Sequence, residues 1–120
     1  MITKKQATGR WGETEAARFL QGKGYTILDR NIRTPHGEID ILAARDGMLV
    51  FVEVRTRRSH SFGYPEASVT TRKQASMLAA VDEYLGDHPE AGDTWQVDVI
   101  AVEGTPGRLI SIEHFENVLA

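Results

Sequence analysis

The chain has 120 residues, which suits one domain with a single buried core, and we assign that domain to residues 1–120. Hydrophobic residues make up 41% of it and cysteine is absent, which excludes disulfides and thiolate metal sites. The net charge of −3 argues against a generic nucleic-acid binder. Apolar runs of about five residues fall short of the ~20 that a membrane-spanning helix needs, and the first residues lack the apolar stretch of a secretory signal. We therefore expect a cytoplasmic protein without a membrane partner.

Basic and acidic residues are unevenly distributed along the chain. Residues 1–73 hold 13 of the 14 Lys and Arg residues but 8 of the 17 acids, a balance of +5, whereas residues 74–120 carry a balance of −8. This asymmetry allows a phosphate-binding face on an acidic protein. Its alternative is an uneven solvated surface.

The first half of the chain is typical of one helix followed by three strands. Apolar residues at helical spacing predict an amphipathic helix over 13–24. The stretch "YTILDRNIR" follows as a first strand, with Leu28 among its inward residues. The next two strands form a hairpin around Asp46-Gly47, and residues 57–70 lack a clear period, which indicates a loop.

A second helix and a closing pair of strands complete the predicted order. Residues 71–90 carry an apolar stripe that includes Leu78, and Thr71 with Gln74 forms a capping-box signature. The stretch "WQVDVIAVEGTPGRLISIEHF" predicts two strands around a Thr-Pro-Gly turn. The order α-β-β-β-α-β-β favours an α/β fold with a central mixed five-stranded sheet flanked by helices.

The Asp-Gly turn sets the register of the predicted hairpin. If Asp46 and Gly47 fill the loop, facing residues sum to 93 and Asp40 lies opposite Glu53. Directly opposed residues have β-carbons about 4.5–5.5 Å apart, and like charges there are unfavourable. We expect Ile39 on the other, wholly apolar side of the hairpin. Two half-buried carboxylates this close must share a proton, gain a cationic neighbour or bind a metal.

Three interpretations of the carboxylate pair remain open from residue chemistry alone. In the first, Glu38 and Arg55 form a cross-strand ion pair, and backbone groups or the first helix satisfy Asp40 and Glu53. In the second, Asp40 and Glu53 hold a divalent cation; because no His or Cys lies nearby, Mg²⁺ or Mn²⁺ is favoured over zinc. In the third, the register is wrong and the two carboxylates do not meet.

The same hairpin carries a resemblance to a known family. An Asp followed a dozen residues later by Glu-x-Lys is typical of restriction-endonuclease-like nucleases, and here Asp40 precedes "EVR" at 53–55. The stretches "GRWGETEAARFLQGKGYTILDRNIR", "GEIDILA", "VFVEVRTR", "RKQ" and "VDVIAV" resemble the YraN family, a group of small bacterial endonuclease-like proteins related to archaeal Holliday-junction resolvases. The resemblance covers nearly the whole chain.

The resemblance implies a restriction-endonuclease-like core and a metal-dependent DNA endonuclease. It implies that Asp40, Glu53 and the backbone carbonyl of Val54 hold Mg²⁺ or Mn²⁺. It also implies that Glu13 is an additional acid near the metal. By analogy with resolvases, branched or flapped DNA would be the substrate, and a homodimer would be the assembly.

Arg55 departs from the motif, which has Lys at this position. Arg cannot act as a base because its pKa lies above ~12. It can still donate a bidentate pair of hydrogen bonds to a phosphate oxygen and stabilise developing negative charge. The departure keeps open a second function, a non-catalytic nucleic-acid-binding module with the same fold.

Further candidates for nucleic-acid binding surround the motif. Arg57 and Arg58 extend a cationic track along the hairpin. Arg72 and Lys73 start the second helix, where cations oppose the helix dipole, so that either a bound phosphate or solvent exposure accounts for them. Gln74 is either a helix cap or a residue of the site.

Other residues have structural alternatives. Glu13 would complement the dipole of an exposed early helical turn. Asp98, in the closing strands, is interpreted as a structural hydrogen-bonding or surface residue. In the loop, His60, Phe62 and Tyr64 either stack on unpaired bases or belong to a mobile surface loop.

Overall fold

A computed structural model describes residues 1–58 and 71–119, except for the side chain of Thr71. The predicted capping role of Thr71 and the base-stacking interpretation of His60, Phe62 and Tyr64 lie outside these described residues. Across the described ranges, no helix is long and apolar enough to cross a membrane. The helices and strands are α1 (Lys4–Gly22), β1 (Thr26–Thr34), β2 (Gly37–Arg45), β3 (Met48–Arg57), α2 (Thr71–Asp87), β4 (Trp95–Thr105) and β5 (Arg108–Phe115).

The five strands form one sheet in the order β1-β2-β3-β4-β5. Strands β3 and β4 are parallel, and every other neighbouring pair is antiparallel. The parallel pair follows from the connection through α2, because a crossover of that length carries the chain back to the same end of the sheet. The predicted mixed five-stranded sheet flanked by helices is confirmed.

The hairpin of β2 and β3 has the predicted register next to its turn, but the pairing ends before the predicted pair of Asp40 and Glu53. Its paired residues sum to 93 from the turn as far as Ile41 and Val52. Asp46 and Gly47 both have positive φ, at 52° and 78°, as the mirror-image two-residue turn requires. The pairing of β2 with β3 ends just before Asp40, so the interruption of this ladder coincides with that residue.

Each helix covers one face of the sheet and closes one apolar cluster. Ala16 and Leu20 of α1 pack with Ile41, Val50 and Val52 on the first face. On the second face α2 packs against β2, β3 and β4. The members of this second cluster are Ile39, Leu42, Phe51, Met77, Ala80, Val81 and Val97.

Two side chains that the sequence predicts to face the core are exposed. Leu28 is 52% exposed because a bulge between Ile27 and Asp29 shifts the register of β1 and turns this side chain outward. Leu78 is 38% exposed, whereas Met77 and Val81 of the same predicted stripe are buried.

Helix α1 begins at Lys4 rather than near residue 13. Its N-cap is Thr3, which accepts a hydrogen bond from the Gln6 N–H while the Gln6 side chain accepts one from the Thr3 N–H. Glu13 therefore lies in the middle of α1. The interpretation of Glu13 as a partner of the helix dipole in an early turn is wrong, since the dipole effect is confined to the terminal turns.

Close packing of α1 on β3 sets one wall of the cleft described below. Gly12 is buried on the inner side of α1. A β-carbon at this position would overlap the side chain of Thr56. By contrast, a β-carbon at Gly9, one turn earlier, would meet nothing within 4 Å.

We predict that Gly12→Ala lowers the free energy of unfolding by about 1–3 kcal/mol, because the added methyl group forces α1 away from β3. The matched change Gly9→Ala should be neutral or raise it by up to about 1 kcal/mol, since alanine favours a helix. Urea unfolding measures both, and Thr56→Ala should rescue Gly12→Ala. Equal stability of the two single variants would contradict this account of the packing.

Candidate active site

The Asp40 carboxylate accepts the hydrogen bond of a β3 backbone N–H that a backbone carbonyl of β2 would accept in a regular ladder. Its Oδ2 accepts a hydrogen bond of 2.8 Å from the Val54 N–H. By the register of the hairpin, Val54 would face Ile39, yet the ladder stops at Ile41 and Val52. Ile39 packs instead in the cluster on the α2 side of the sheet, so its predicted place beside Ile41 is wrong. The alternation of side chains between the two faces of the sheet fails at Asp40, which separates the two isoleucines and lies where the pairing of β2 with β3 ends.

A cleft of about 590 Å³ opens where the two strands separate, between β3 and the first half of α1. Three carboxylates line it, from Asp40, Glu53 and Glu13. Each comes from a different element, β2, β3 and α1. The remaining lining residues are Lys4, Lys5, Thr8, Gly9, Val54, Arg55, Thr56 and Arg58.

Glu53 is buried and is bracketed by two cations. Its Oε1 lies 3.2 Å from Nζ of Lys73 and 3.6 Å from Nε of Arg55. Its side chain is 8% exposed, so both cations compensate a charge that water scarcely reaches. The ion pair of Arg55 at this point is therefore with Glu53, whereas the first interpretation of the sequence paired it with Glu38.

Burial raises the pKa of Asp40 from 3.8 to about 7, and the Glu53 carboxylate reinforces the shift. The charges of Glu13 and Glu38 raise the pKa further, and the hydrogen bond from Val54 opposes the rise. Asp40 can therefore exchange a proton near neutral pH. A cation that binds beside it would displace that proton, because a metal ligand must be ionised.

Glu13 brings a third, incompletely satisfied carboxylate to the cleft. Its Oε1 is buried and has no hydrogen-bond partner within the described residues. The nearest recorded cation, the guanidinium of Arg30, lies 3.8 Å away. Burial raises the pKa of Glu13, against the lowering effects of Arg30 and Asn31.

The direction of the Val54 backbone carbonyl follows from the hydrogen bond of its N–H. In a strand, the N–H and C=O of one residue point to the same edge. Since the Val54 N–H points to Asp40 on β2, its carbonyl points to that side as well, away from β4. Val54 lines the cleft together with Asp40 and Glu53.

The predicted cationic residues are not all in one place. Arg55 and Arg58 line the cleft, and Lys73 reaches Glu53 from α2. Arg57 is half-buried at the end of β3, and the other two predicted residues lie near the start of α2, where Arg72 is exposed and Gln74 is half-buried.

Sequence reasoning missed the basic residues on the opposite wall. Lys4 and Lys5 line the cleft from the first turn of α1. They were missed because the predicted helix began near residue 13. The Thr3 to Gln6 capping box is visible in the sequence and could have placed the helix start correctly.

A second polar cluster lies elsewhere in the sheet. Ligand atoms of Asp98, His114 and Glu116 lie within 4.8 Å of one another, which makes them the group of three in the described chain that could hold a metal ion. Asp98 is fully buried, whereas Glu116 is exposed.

Hydrogen bonds already use the atoms of this second cluster. Asp98 Oδ1 accepts from the Gln96 amide at 2.8 Å and from the Asn117 N–H at 2.9 Å. Asp98 Oδ2 lies 2.7 Å from Nε2 of His114, and Nδ1 of His114 lies 2.7 Å from Nζ of Lys23. A metal ion would have to replace these bonds. The interpretation of Asp98 as a structural hydrogen-bonding residue agrees with this network.

Comparison with known proteins yields one family. The model of the uncharacterised protein family UPF0102 matches residues 12–102. A UPF0102 protein of Roseiflexus castenholzii is 46% identical over 95% of this chain and 94% of its own. A UPF0102 protein of Syntrophotalea carbinolica is 46% identical over 96% and 93% of the respective chains. Among solved structures, Pyrococcus furiosus SfsA in complex with Ca²⁺ aligns with a TM-score of 0.46 and 14% identity, over 90% of this chain and 63% of that chain.

We predict that Asp40 makes a contribution to the unfolding free energy of the metal-free protein that falls as pH rises from about 4 to about 7. In this window native Asp40 keeps a proton that the unfolded chain has released, and a proton held only in the native state stabilises it. A shift of about three pKa units corresponds to at most about 4 kcal/mol. Chemical unfolding at several pH values, in a chelating buffer, measures the slope.

Asp40→Asn should lack this part of the slope and be more stable than the wild type at pH 8. Asp82→Asn, at an exposed position of α2, is the control and should keep the wild-type slope. A wild-type slope in Asp40→Asn would mean that Asp40 does not hold the proton.

We predict that Asp98→Ala lowers the unfolding free energy by about 2–4 kcal/mol, because it leaves His114, Gln96 and the Asn117 N–H without their acceptor. The loss should be the same in Mn²⁺ and in a chelator. A loss that appears only with Mn²⁺ present would instead identify Asp98 as a metal ligand.

Proposed function

This chain belongs to the uncharacterised protein family UPF0102, and we propose that it is a metal-dependent endonuclease that hydrolyses DNA phosphodiesters in the cleft between α1 and β3. One observation carries the proposal. Carboxylates from three elements line this cleft together with cations from both of its walls. An acidic centre between basic walls suits a bound cation and the phosphate backbone of a nucleic acid.

The donor atoms fit a hard divalent cation such as Mg²⁺ or Mn²⁺. Asp40, Glu53 and the Val54 carbonyl would hold it, all through oxygen, which is the ligand that these ions prefer. The buried Oε1 of Glu13, which accepts no hydrogen bond from the described residues, is a further oxygen that could serve the ion. When bound, the ion would lower the pKa of a coordinated water and polarise the phosphate.

The residues of the chain have separate tasks in this proposal. Asp40 gives up its proton when the site is loaded, and its bond to Val54 fixes the direction of its carboxylate. Arg55 donates hydrogen bonds to the phosphate and stabilises the negative charge that develops on it. Lys4 and Lys5 hold the flanking backbone from the α1 wall.

The substrate and assembly remain part of the proposal. Branched or flapped DNA follows from the resemblance to resolvases, as does a homodimer. Arg58 would contact DNA within the cleft, and Arg57, Arg72 and Gln74 would contact it beyond the cleft, on the side of β3 and α2. A cytoplasmic location, where chromosomal DNA is accessible in bacteria, is consistent with this substrate.

A second candidate is a nucleic-acid-binding module without catalysis. Arg55 favours it, because this residue stands where the nuclease motif has Lys and cannot act as a base. Such a module would keep the basic walls and bind DNA through its phosphates. Its binding would weaken with salt and would not depend on Asp40.

We predict that the protein cleaves labelled four-way or flap DNA in Mg²⁺ or Mn²⁺, and that Asp40→Asn lowers the rate by roughly 100-fold or more, as removal of a metal ligand should. Asp82→Asn, the exposed acid on α2, serves as the control and should cleave at the wild-type rate. Arg55→Lys should raise the rate if the departure from the motif only slows the reaction.

Binding without cleavage, equal in wild type and Asp40→Asn and weakened by salt, would replace the nuclease with the binding module. Cleavage that survives in Asp40→Asn would place the reaction elsewhere in the chain or in a contaminant. Filter binding and gel analysis of the same samples separate these results.

A further inference from the structure

The two cations that pair with Glu53 come from different elements, β3 and α2. Arg55 lies two residues along β3 and lines the cleft. Lys73 lies on α2, which contributes no residue to the lining of the cleft among the described residues. The ammonium of Lys73 is nevertheless the closer of the two, at 3.2 Å from Glu53 Oε1 against 3.6 Å for Arg55 Nε.

The pair combines a rigid carboxylate with an adjustable cation. The Glu53 side chain is 8% exposed and comes from the centre of the sheet. The Lys73 side chain is 37% exposed and has a flexible four-carbon stem, so its own ammonium can move into solvent. Glu53 has no comparable freedom.

Electrostatics explains why a cation is needed at this oxygen. Glu53 faces two other carboxylates across the cleft, and its charge acts on both of them. A buried carboxylate without compensation is strongly unfavourable. In the absence of a metal ion, the positive charge at Oε1 comes from the protein.

We propose that Lys73 is a built-in counter-cation, whose ammonium holds the Glu53 carboxylate in the metal-free protein and must be displaced when a divalent cation binds that carboxylate. The inference rests on the proposed function for the identity of the incoming ion. Lys73 is thereby a positioning residue for the metal site, beyond the phosphate contact that its place at the start of α2 predicts.

Competition between Lys73 and a metal ion changes metal affinity in the opposite sense from loss of a structural ion pair. A divalent ion and an ammonium bound to the same oxygen repel each other, so removal of the ammonium should tighten metal binding. Loss of a merely structural ion pair would disorder Glu53 and weaken metal binding instead. Lys73→Arg keeps the positive charge and should keep the competition.

The test is calorimetric titration of Mn²⁺ into the wild type, Lys73→Met, Lys73→Gln, Lys73→Arg and Arg18→Met. Arg18 is the control for net charge, because its side chain is 69% exposed on α1 and pairs only with Glu15 among the recorded ion pairs of the described residues. Circular dichroism verifies that each variant is folded. We expect about tenfold or tighter binding in Lys73→Met and Lys73→Gln, wild-type affinity in Lys73→Arg, and less than a twofold change in Arg18→Met.

Unchanged or weaker binding in both neutral variants would overturn the role of Lys73 and leave the nuclease proposal intact. No binding to the wild type but clear binding to Lys73→Met would support the counter-cation and contradict a metal-dependent activity of the natural chain. No binding to any variant would overturn both proposals.

Discussion

The hydrogen bond from the Val54 N–H to Asp40 is the interaction on which the candidate site depends. It places a side chain where the ladder of β2 and β3 would have a backbone carbonyl, so the ladder ends and the two strands separate. Ile39 turns toward α2 at the same point. The space that opens on the α1 side becomes the cleft, and it leaves the carboxylates of Asp40 and Glu53 on its lining. Local backbone geometry, rather than a flexible loop, thus positions the two acids.

This arrangement is electrostatically unfavourable until a cation compensates it. Burial and neighbouring carboxylates raise the pKa of Asp40 and of Glu13, and two cations surround Glu53. Buried groups of this kind are typical of functional centres, where perturbed pKa values cluster. The second polar cluster differs in that Asp98 and His114 already have hydrogen-bond partners on both polar atoms of their side chains. Of the two clusters, the cleft therefore holds the carboxylate oxygen that accepts no hydrogen bond within the described residues, although the grouping of ligand atoms is tighter around Asp98.

The fold could be predicted from the sequence because its main signals are local. Asp46-Gly47 set the register of the hairpin, and the alternation of α and β segments set the mixed sheet. Predictions were wrong where a single residue overrides its local pattern, as when the bulge exposes Leu28 and Asp40 turns Ile39 to the other face. The contact of Lys73 with Glu53 joins residues on different elements, and no local pattern indicates it. The α1 wall differs, because Lys4 lies outside the helix that apolar spacing alone predicts but just after the Thr3 to Gln6 capping box, which is a local signal.

The central claim is that Asp40 and Glu53 share one cation in the cleft. Anomalous diffraction from crystals soaked in Mn²⁺ tests it directly, because the signal locates the ion without assumptions about its ligands. The account predicts a peak within coordination distance of both carboxylates and near the Val54 carbonyl. A peak at Asp98, His114 and Glu116 with none in the cleft, or crystals that bind no manganese, would contradict it.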